Sequence, residues 1–141
     1  MAAQVQNNRS IILRLQDFLQ NEMPDSVKIN PPVKHYFAKG VYAREMLIPK
    51  GTLIVGKIHK HDHLNIISYG RCEVATDEKI QMLEGPLTFT SPVGVKRVVL
   101  AHEDTLWTTI HVTSETDLDA SEKETIAESY DEIPMIGGPT P

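Results

Sequence analysis

Residues 51–70 read Gly51-Thr-Leu-Ile-Val-Gly56-Lys57-Ile-His59-Lys-His61-Asp-His63-Leu-Asn65-Ile-Ile-Ser-Tyr-Gly70. Two runs rich in aliphatic residues flank three histidines that occur at every second position. Because alternate residues of a strand point to the same face of a sheet, this pattern predicts two strands joined by a turn with imidazoles grouped around it. Imidazoles bind metals and carry protons. The role of this group therefore decides the function.

The sequence on either side continues the pattern of strand and turn from Gly40 to about Thr113. The predicted strands cover residues 41–48, 52–59, 64–68, 71–75, 79–83, 87–90, 97–101 and 105–112. Turn residues such as Pro, Gly and Asp separate them, as in Ser91-Pro-Val-Gly94. Seven or eight short strands at this spacing predict an all-β sandwich or barrel rather than alternating strands and helices.

The regions before and after the strands differ from them. Residues 1–39 begin with an amphipathic helix pattern formed by Ile11, Ile12, Leu15, Phe18 and Leu19. Ser10 is the predicted N-cap of this helix, Pro24 is its predicted end, and an extended connector with two prolines follows. Residues 114–141 are acidic and predict a short polar helix starting near Asp117 or Asp119, followed by a flexible tail.

The composition excludes several classes of protein. The 141 residues carry a net charge of −5 and no basic stripe, which argues against a nucleic-acid partner. The single cysteine, Cys72, excludes an internal disulfide and a cysteine-based zinc cage. The sequence has no apolar run of membrane-spanning length and no signal-peptide pattern, so a cytoplasmic location with no membrane contact is expected.

The strand region resembles the cupin superfamily of RmlC-like jelly-roll barrels. The first cupin motif, G-x5-H-x-H-x3-E-x6-G, matches the spacing from Gly51 to Gly70 at every position. Its two histidines and its glutamate are metal ligands in cupins, and they fall here on Lys57, His59 and His63. The resemblance implies a small cupin-like jelly-roll barrel at residues 40–113.

The second cupin motif, G-x5-P-x-G-x2-H, fits Gly85, Pro92 and Gly94 with one extra residue and places Arg97 at its histidine. The implied pocket thus holds Lys57, His59, His63 and Arg97. Two permanent cations repel a divalent metal and suit a phosphate or carboxylate. The leading hypothesis is a cationic pocket for a small anionic ligand, either nucleotide-like or a sugar phosphate, with His59 and His63 as candidate acid–base residues.

The predicted strand 105–112 adds two residues to this hypothesis. Leu106, Thr108, Ile110 and Val112 share one face, and Trp107, Thr109 and His111 share the other. If the second face lines the pocket, Trp107 supplies a stacking surface and His111 a proton carrier or ligand. Otherwise Trp107 packs in the core or at a subunit interface. Arg44 alternates similarly on the first strand and is a candidate for the pocket or for an interface.

A metal site is the alternative hypothesis. The candidate ligands are His59, His61, His63 and His111, and three histidines with one open position would suit zinc, iron or nickel. The protein would then be a metal-dependent cupin enzyme such as an isomerase, a lyase or a dioxygenase. A third reading takes the three histidines as an exposed, solvated hairpin. His35 and His102 are expected at the surface or in capping positions.

A second resemblance covers more of the chain. The segments Val33-Lys-His35-Tyr-Phe-Ala-Lys-Gly-Val-Tyr-Ala-Arg-Glu, Gly56-Lys-Ile-His, Glu103-Asp-Thr-Leu-Trp107-Thr-Thr-Ile-His111 and Thr116-Asp-Leu-Asp are similar to a group of small, uncharacterised cupin-like proteins of tailed phages and prophages. The resemblance implies a phage accessory protein in the host cytoplasm, or a structural virion or interaction protein. A homodimer is expected because jelly rolls leave sheet faces and edges that pairing often covers.

Overall fold

The structure, a computed structural model, describes residues 2–17, 31–113 and 126–127. Within these residues one helix is followed by eleven strands. The elements are α1 (Ala2–Asp17), β1 (Val33–Ala38), β2 (Val41–Ile48), β3 (Leu53–Val55), β4 (Ile58–His59), β5 (His63–Tyr69), β6 (Arg71–Ala75), β7 (Ile80–Glu84), β8 (Leu87–Ser91), β9 (Val98–Ala101), β10 (Thr105–Val112) and β11 (Ile126–Ala127).

The strands form two main antiparallel sheets with a core between them. One sheet has the order β1-β2-β10-β5-β8 and the other has the order β3-β9-β6-β7. The core contains buried residues from both sheets: Ile48, Ile67, Cys72, Val74, Val99, Ala101 and Trp107. The all-β jelly-roll barrel with an N-terminal helix is therefore confirmed.

The strand predicted at 52–59 is divided in the structure. β3 ends at Val55 and pairs with β9, whereas β4 pairs with β11. The backbone of Gly56, between them, donates a hydrogen bond to the carbonyl of Arg97 at 2.8 Å. Because the strand breaks at Gly56 and Lys57, strand alternation does not relate Lys57 to His59 as the sequence predicted.

The N-terminal elements also depart from the prediction. α1 begins at Ala2, so Ser10 lies inside the helix and is not its N-cap. The predicted end at Pro24 lies outside the described residues. The segment predicted as an extended connector contains β1, which pairs with β2 from Val33 opposite Met46 to Ala38 opposite Val41.

The helix is anchored to the barrel by one buried apolar residue and an ion pair. Ile12 is buried, and Arg9 Nε lies 2.8 Å from the carboxylate of the buried Asp77. Asn8 donates a side-chain hydrogen bond to the carbonyl oxygen of Asp77 at 2.6 Å. The turn before β7 therefore holds Asn8 and Arg9, and Lys96 donates a further hydrogen bond to Gln16 near the end of α1.

The acidic C-terminal segment has one described contact with the barrel. Ile126 and Ala127 form β11, with Ile126 opposite His59 and Ala127 opposite Ile58. The predicted acidic helix and tail otherwise lie outside the described residues. A segment distant in sequence thus covers the edge of the strand that carries His59.

Candidate metal centre

Three histidines from three strands converge at one end of the barrel. His59 ends β4, His63 begins β5 and His111 lies near the end of β10. Their ring centroids are 4.1 Å apart for His59 and His63, and 4.8 Å apart for each pair that includes His111. One potential ligand atom from each ring lies within 4.8 Å of the others.

The sheet register explains why these rings meet. β5 and β10 are neighbours, and Leu64 pairs with Ile110, which places His63 next to His111 on the inner face. The short turn between β4 and β5 then returns His59 to the same place. Residues 59 and 63 lie close in sequence, whereas His111 is brought in only by the pairing of β10.

The histidines form the first of three layers in a cavity of about 170 Å³. Across β10 and β2, His111 pairs with Tyr42, Thr109 with Arg44, and Trp107 with Met46. All six side chains line the cavity. The layers therefore run from imidazoles, through a layer containing Arg44, to an apolar layer containing Trp107 and Met46.

The three imidazoles are held neutral at neutral pH. Burial lowers the pKa of His59 to about 2, with further lowering by the neighbouring His63, His111 and arginines. Burial also lowers the pKa of His63 and of His111 to about 4, helped by His111 and Arg97 in the first case and by Arg44 in the second. Neutral imidazoles have lone pairs available for a metal ion.

Two half-buried arginines, Arg44 and Arg97, carry positive charge in the cavity, and the exposed Lys57 also lines it. Arg97 lies over the ring of Phe89, with 5.4 Å from its guanidinium carbon to the ring centroid. Burial lowers the pKa of Arg97 to about 10, and its Nε has no hydrogen-bond partner. Neither Arg97 nor Arg44 forms an ion pair with an acidic residue in the described part of the chain.

Trp107 lines the cavity and also belongs to the core. It is buried, and its ring contacts Phe89 edge-on with centroids 5.8 Å apart. Its indole N–H donates to Asn65 Oδ1 at 3.0 Å. The sequence left open whether Trp107 lines the pocket or packs in the core. It does both, since the face with Trp107, Thr109 and His111 lines the cavity.

The remaining predicted site residues are not members of the three-ring cluster. Lys57 lines the cavity but is itself exposed, and His61 is exposed in the turn between β4 and β5. His61 is therefore not part of the histidine cluster. Arg44, which the sequence left open between a pocket and an interface, lines the cavity.

The two histidines expected at the surface have side-chain partners. His35 is exposed, and its Nδ1 lies 2.7 Å from the hydroxyl of Tyr42, a buried residue whose ring stacks on His111 at 5.9 Å. His102 Nε2 lies 3.1 Å from Glu73 Oε1. Only His35 therefore contacts a residue that lines the cavity.

The histidine cluster fits a divalent metal ion. The Nδ1 atom of His59 is buried and has no hydrogen-bond partner among the described residues, and a buried unpaired polar atom costs free energy. Three neutral imidazoles match the three protein ligands of open metal sites, which leave a position for substrate. His59, His63 and His111 could therefore hold a metal ion of the zinc, iron or nickel type.

Comparison with known proteins identifies the fold. No family model matches the sequence, and no curated protein matches it. KdgF from Halomonas sp. superposes with a TM-score of 0.54 at 17% identity, covering 70% of this chain and 94% of that one. An RmlC-like cupin from Shewanella frigidimarina gives 0.51 at 19% identity, covering 64% and 84%.

A larger protein shows the same fold in part of its chain. A mutant salicylate 1,2-dioxygenase from Pseudoaminobacter salicylatoxidans, solved in complex with gentisate, gives a TM-score of 0.57 at 12% identity. The match covers 86% of this chain and 34% of the dioxygenase, so this chain spans about a third of that protein. The fold is thus that of the cupin jelly rolls. Among the described residues, no helix has the length and apolarity to cross a membrane.

Proposed function

We propose that the protein binds a divalent metal ion through His59, His63 and His111 and holds a small anionic molecule beside it. The observation that carries this proposal is the convergence of three neutral imidazoles from three strands in one cavity. Burying the polar nitrogen atoms of three imidazoles away from water costs free energy. Binding of a metal ion to these atoms would offset that cost.

The sequence analysis treated a metal site and an anion-binding pocket as alternative hypotheses. Both can hold in this cavity. The lowered pKa values leave the histidines neutral, so the positive charge of the cavity comes from Arg97, Arg44 and the exposed Lys57. These arginines would oppose a bare metal ion. An anion placed between them and the ion would cancel much of that repulsion, because its charge attracts both.

The chemistry expected of such a centre is that of a Lewis acid, which polarises an oxygen atom of the bound anion. The chain supplies the imidazole ligands, two guanidinium groups that attract and orient the anion, and apolar walls that exclude water. An enzyme such as an isomerase, a lyase or a dioxygenase is the more specific form of this proposal. The similar fold of a dioxygenase supports it at the level of fold alone.

The test is elemental analysis of purified protein and of single histidine variants. About one equivalent of metal is expected in the wild type, with loss in His59→Ala, His63→Ala and His111→Ala. His61→Ala is the matched control, because this histidine lies in the same hairpin but outside the cluster, and it should retain the metal. Circular dichroism shows whether each variant is folded.

Two outcomes would contradict the metal proposal. One is a folded wild-type protein that retains no zinc, iron or nickel after loading and desalting. The other is equal metal loss in the His61→Ala variant. A metal-free protein that still binds anions through Arg97 would instead support the anion-binding pocket alone.

The biological setting stays a prediction from the sequence. It includes the accessory role in a tailed phage, the alternative role in a virion, the homodimer and the location in the host cytoplasm. Co-purification with phage particles would favour the virion role. A light-scattering mass in solution would decide the oligomeric state.

A further inference from the structure

The cavity has a charged part and an apolar part. Behind the histidines and arginines, its walls are formed by Met46, Ile48, Ile54, Val95, Val99 and Trp107. Met46 pairs with Trp107 across β2 and β10, and Ile54 pairs with Val99 across β3 and β9. Both main sheets therefore present apolar side chains to the same space.

Two polar side chains that line the cavity beside the apolar residues, Asn65 and Trp107, are hydrogen-bonded to protein groups. Asn65 accepts from the indole of Trp107 and donates to the hydroxyl of Ser91 at 2.7 Å. Trp107 consequently offers only its ring to a ligand. A ligand with hydroxyls on the part that faces the apolar walls would bury them without partners, at a cost for each. The cavity thus favours a ligand with few polar groups besides its charge.

The charge required of that ligand follows from the arginines. Arg97 and Arg44 lie next to the histidines, and the described residues provide no acidic partner for either. A half-buried guanidinium without a counter-ion is unfavourable, and a planar carboxylate matches its fork of donors. A ligand carboxylate placed beside the two arginines would contact them, while the rest of the ligand lies in the apolar part of the cavity.

The volume limits the size of the apolar body. The cavity measures about 170 Å³. An engineered apolar protein cavity of about 150 Å³ binds one benzene molecule. The cavity as a whole therefore has room for a ligand of about one six-membered ring, rather than for a base joined to a sugar.

We infer that the ligand is a small carboxylate with an apolar body about the size of one aromatic ring, whose carboxylate contacts Arg97 and Arg44 and whose body packs against Trp107 and Met46. This inference rests on the proposed metal centre, because the same carboxylate neutralises the charge beside the three histidines. Metal and carboxylate should then strengthen each other's binding by the same factor, as linkage requires.

The experiment is a calorimetric titration of zinc-loaded and zinc-free protein with four probes: benzoate, acetate, benzamide and inorganic phosphate. Benzoate is expected to bind at least about tenfold more tightly than acetate, which lacks the ring, and than benzamide, which lacks the charge. Removal of zinc should weaken benzoate binding by about five- to a hundredfold, within the usual range of coupling between sites.

Substitutions of the arginines assign the contacts. Arg97→Met and Arg44→Met remove the charge with little loss of length, and each should weaken benzoate binding by about ten- to a hundredfold. Zinc content and circular dichroism are measured on the same samples. Arg71→Met is the matched control, since Arg71 lies on β6, pairs with the exposed Glu103 and does not line the cavity.

The results that would overturn the inference differ from those that would overturn the metal centre. Three results would refute the proposed ligand class and leave the metal centre untouched. They are tighter binding of phosphate than of benzoate, equal binding of acetate and benzoate, and unchanged benzoate affinity in both arginine variants that keep zinc. Equal benzoate affinity with and without zinc would refute the coupling between metal binding and carboxylate binding. Wild-type protein that takes up no zinc would refute the metal centre itself.

Discussion

Trp107 and Asn65, on the adjacent strands β10 and β5, are joined by a buried hydrogen bond from the indole N–H to Asn65 Oδ1 at 3.0 Å. Asn65 also donates from Nδ2 to Ser91 Oγ on β8 at 2.7 Å. Asn65 and Ser91 are 1% and 0% exposed, so water does not compete for these bonds. One amide therefore connects three strands directly beneath the histidine layer.

Replacing Asn65 with leucine should lower the free energy of unfolding markedly. The change leaves the Trp107 indole N–H and the Ser91 hydroxyl without partners, at about 1–3 kcal/mol for each buried group. Urea unfolding followed by tryptophan fluorescence measures the loss. Ser68→Leu, at an exposed position of the same strand, should change stability by less than about 0.5 kcal/mol. Equal effects of the two substitutions would show that the amide has no such role.

Metal-free protein should lose stability as the pH falls below about 6.5. The folded-state pKa values of His63 and His111 are lowered to about 4 and that of His59 to about 2, whereas unfolded histidines titrate near 6.5. The unfolded state thus binds more protons in the window from pH 6.5 to 4. Each histidine then removes up to about 1.4 kcal/mol per pH unit.

Thermal unfolding of chelator-treated protein between pH 7.5 and 5.0 tests this dependence. The His111→Gln variant should show a shallower loss of stability with falling pH than the wild type, because one titrating group is gone. His61→Gln should match the wild type, since His61 is exposed. A wild-type stability that is constant across this range would show that the three histidines are not desolvated.

The glycines at the two ends of residues 51–70 should differ in their tolerance of alanine. Both have positive φ, +84° at Gly51 and +103° at Gly70. A Cβ at Gly51 meets nothing, whereas at Gly70 it would collide with the backbone of Asp104 and Thr105. Gly51→Ala should cost about 1–2 kcal/mol of backbone strain, and Gly70→Ala about 2–5 kcal/mol once the steric clash is added. Chemical denaturation of both variants checks the difference, and similar losses would contradict it.

Cys72 should be unreactive in the folded protein. Its side chain is fully buried in the core, and burial raises the pKa of the thiol to about 11. Since the thiolate is the reactive form, a colorimetric thiol reagent should label Cys72 only at the rate of unfolding. The matched control is a Cys72→Ala protein with Ser68→Cys, which should label as a free thiol. Fast labelling of native wild-type protein would contradict the buried position.

The sequence predicted the strands best where hydrophobic alternation is strong. The strand at 105–112 has the predicted bounds, and its two faces divide between the cavity and the outside. The strand at 52–59 was not predicted to break, because pairing with two different partners decides the break and both partners are distant in sequence. β1 was missed as a paired strand because the two prolines that precede it favour an extended connector.

The candidate site was predictable in its residue types and less so in its geometry. His59 and His63 follow from the motif spacing, and His111 from alternation along its strand. The separation of His61 from His63 depends on where the turn falls, which periodicity alone does not fix. Arg44 faces the cavity because β2 pairs with β10, a contact between distant segments.

The position of His111 in the chain has a consequence for the order of folding. His59 and His63 are brought together by a local turn, but the third ring arrives only when β10, the last strand of the five-stranded sheet, inserts between β2 and β5. A chain emerging from the ribosome therefore lacks the complete cluster until nearly the whole barrel has been made. Metal binding that needs all three rings therefore cannot precede the pairing of β10 with β2 and β5.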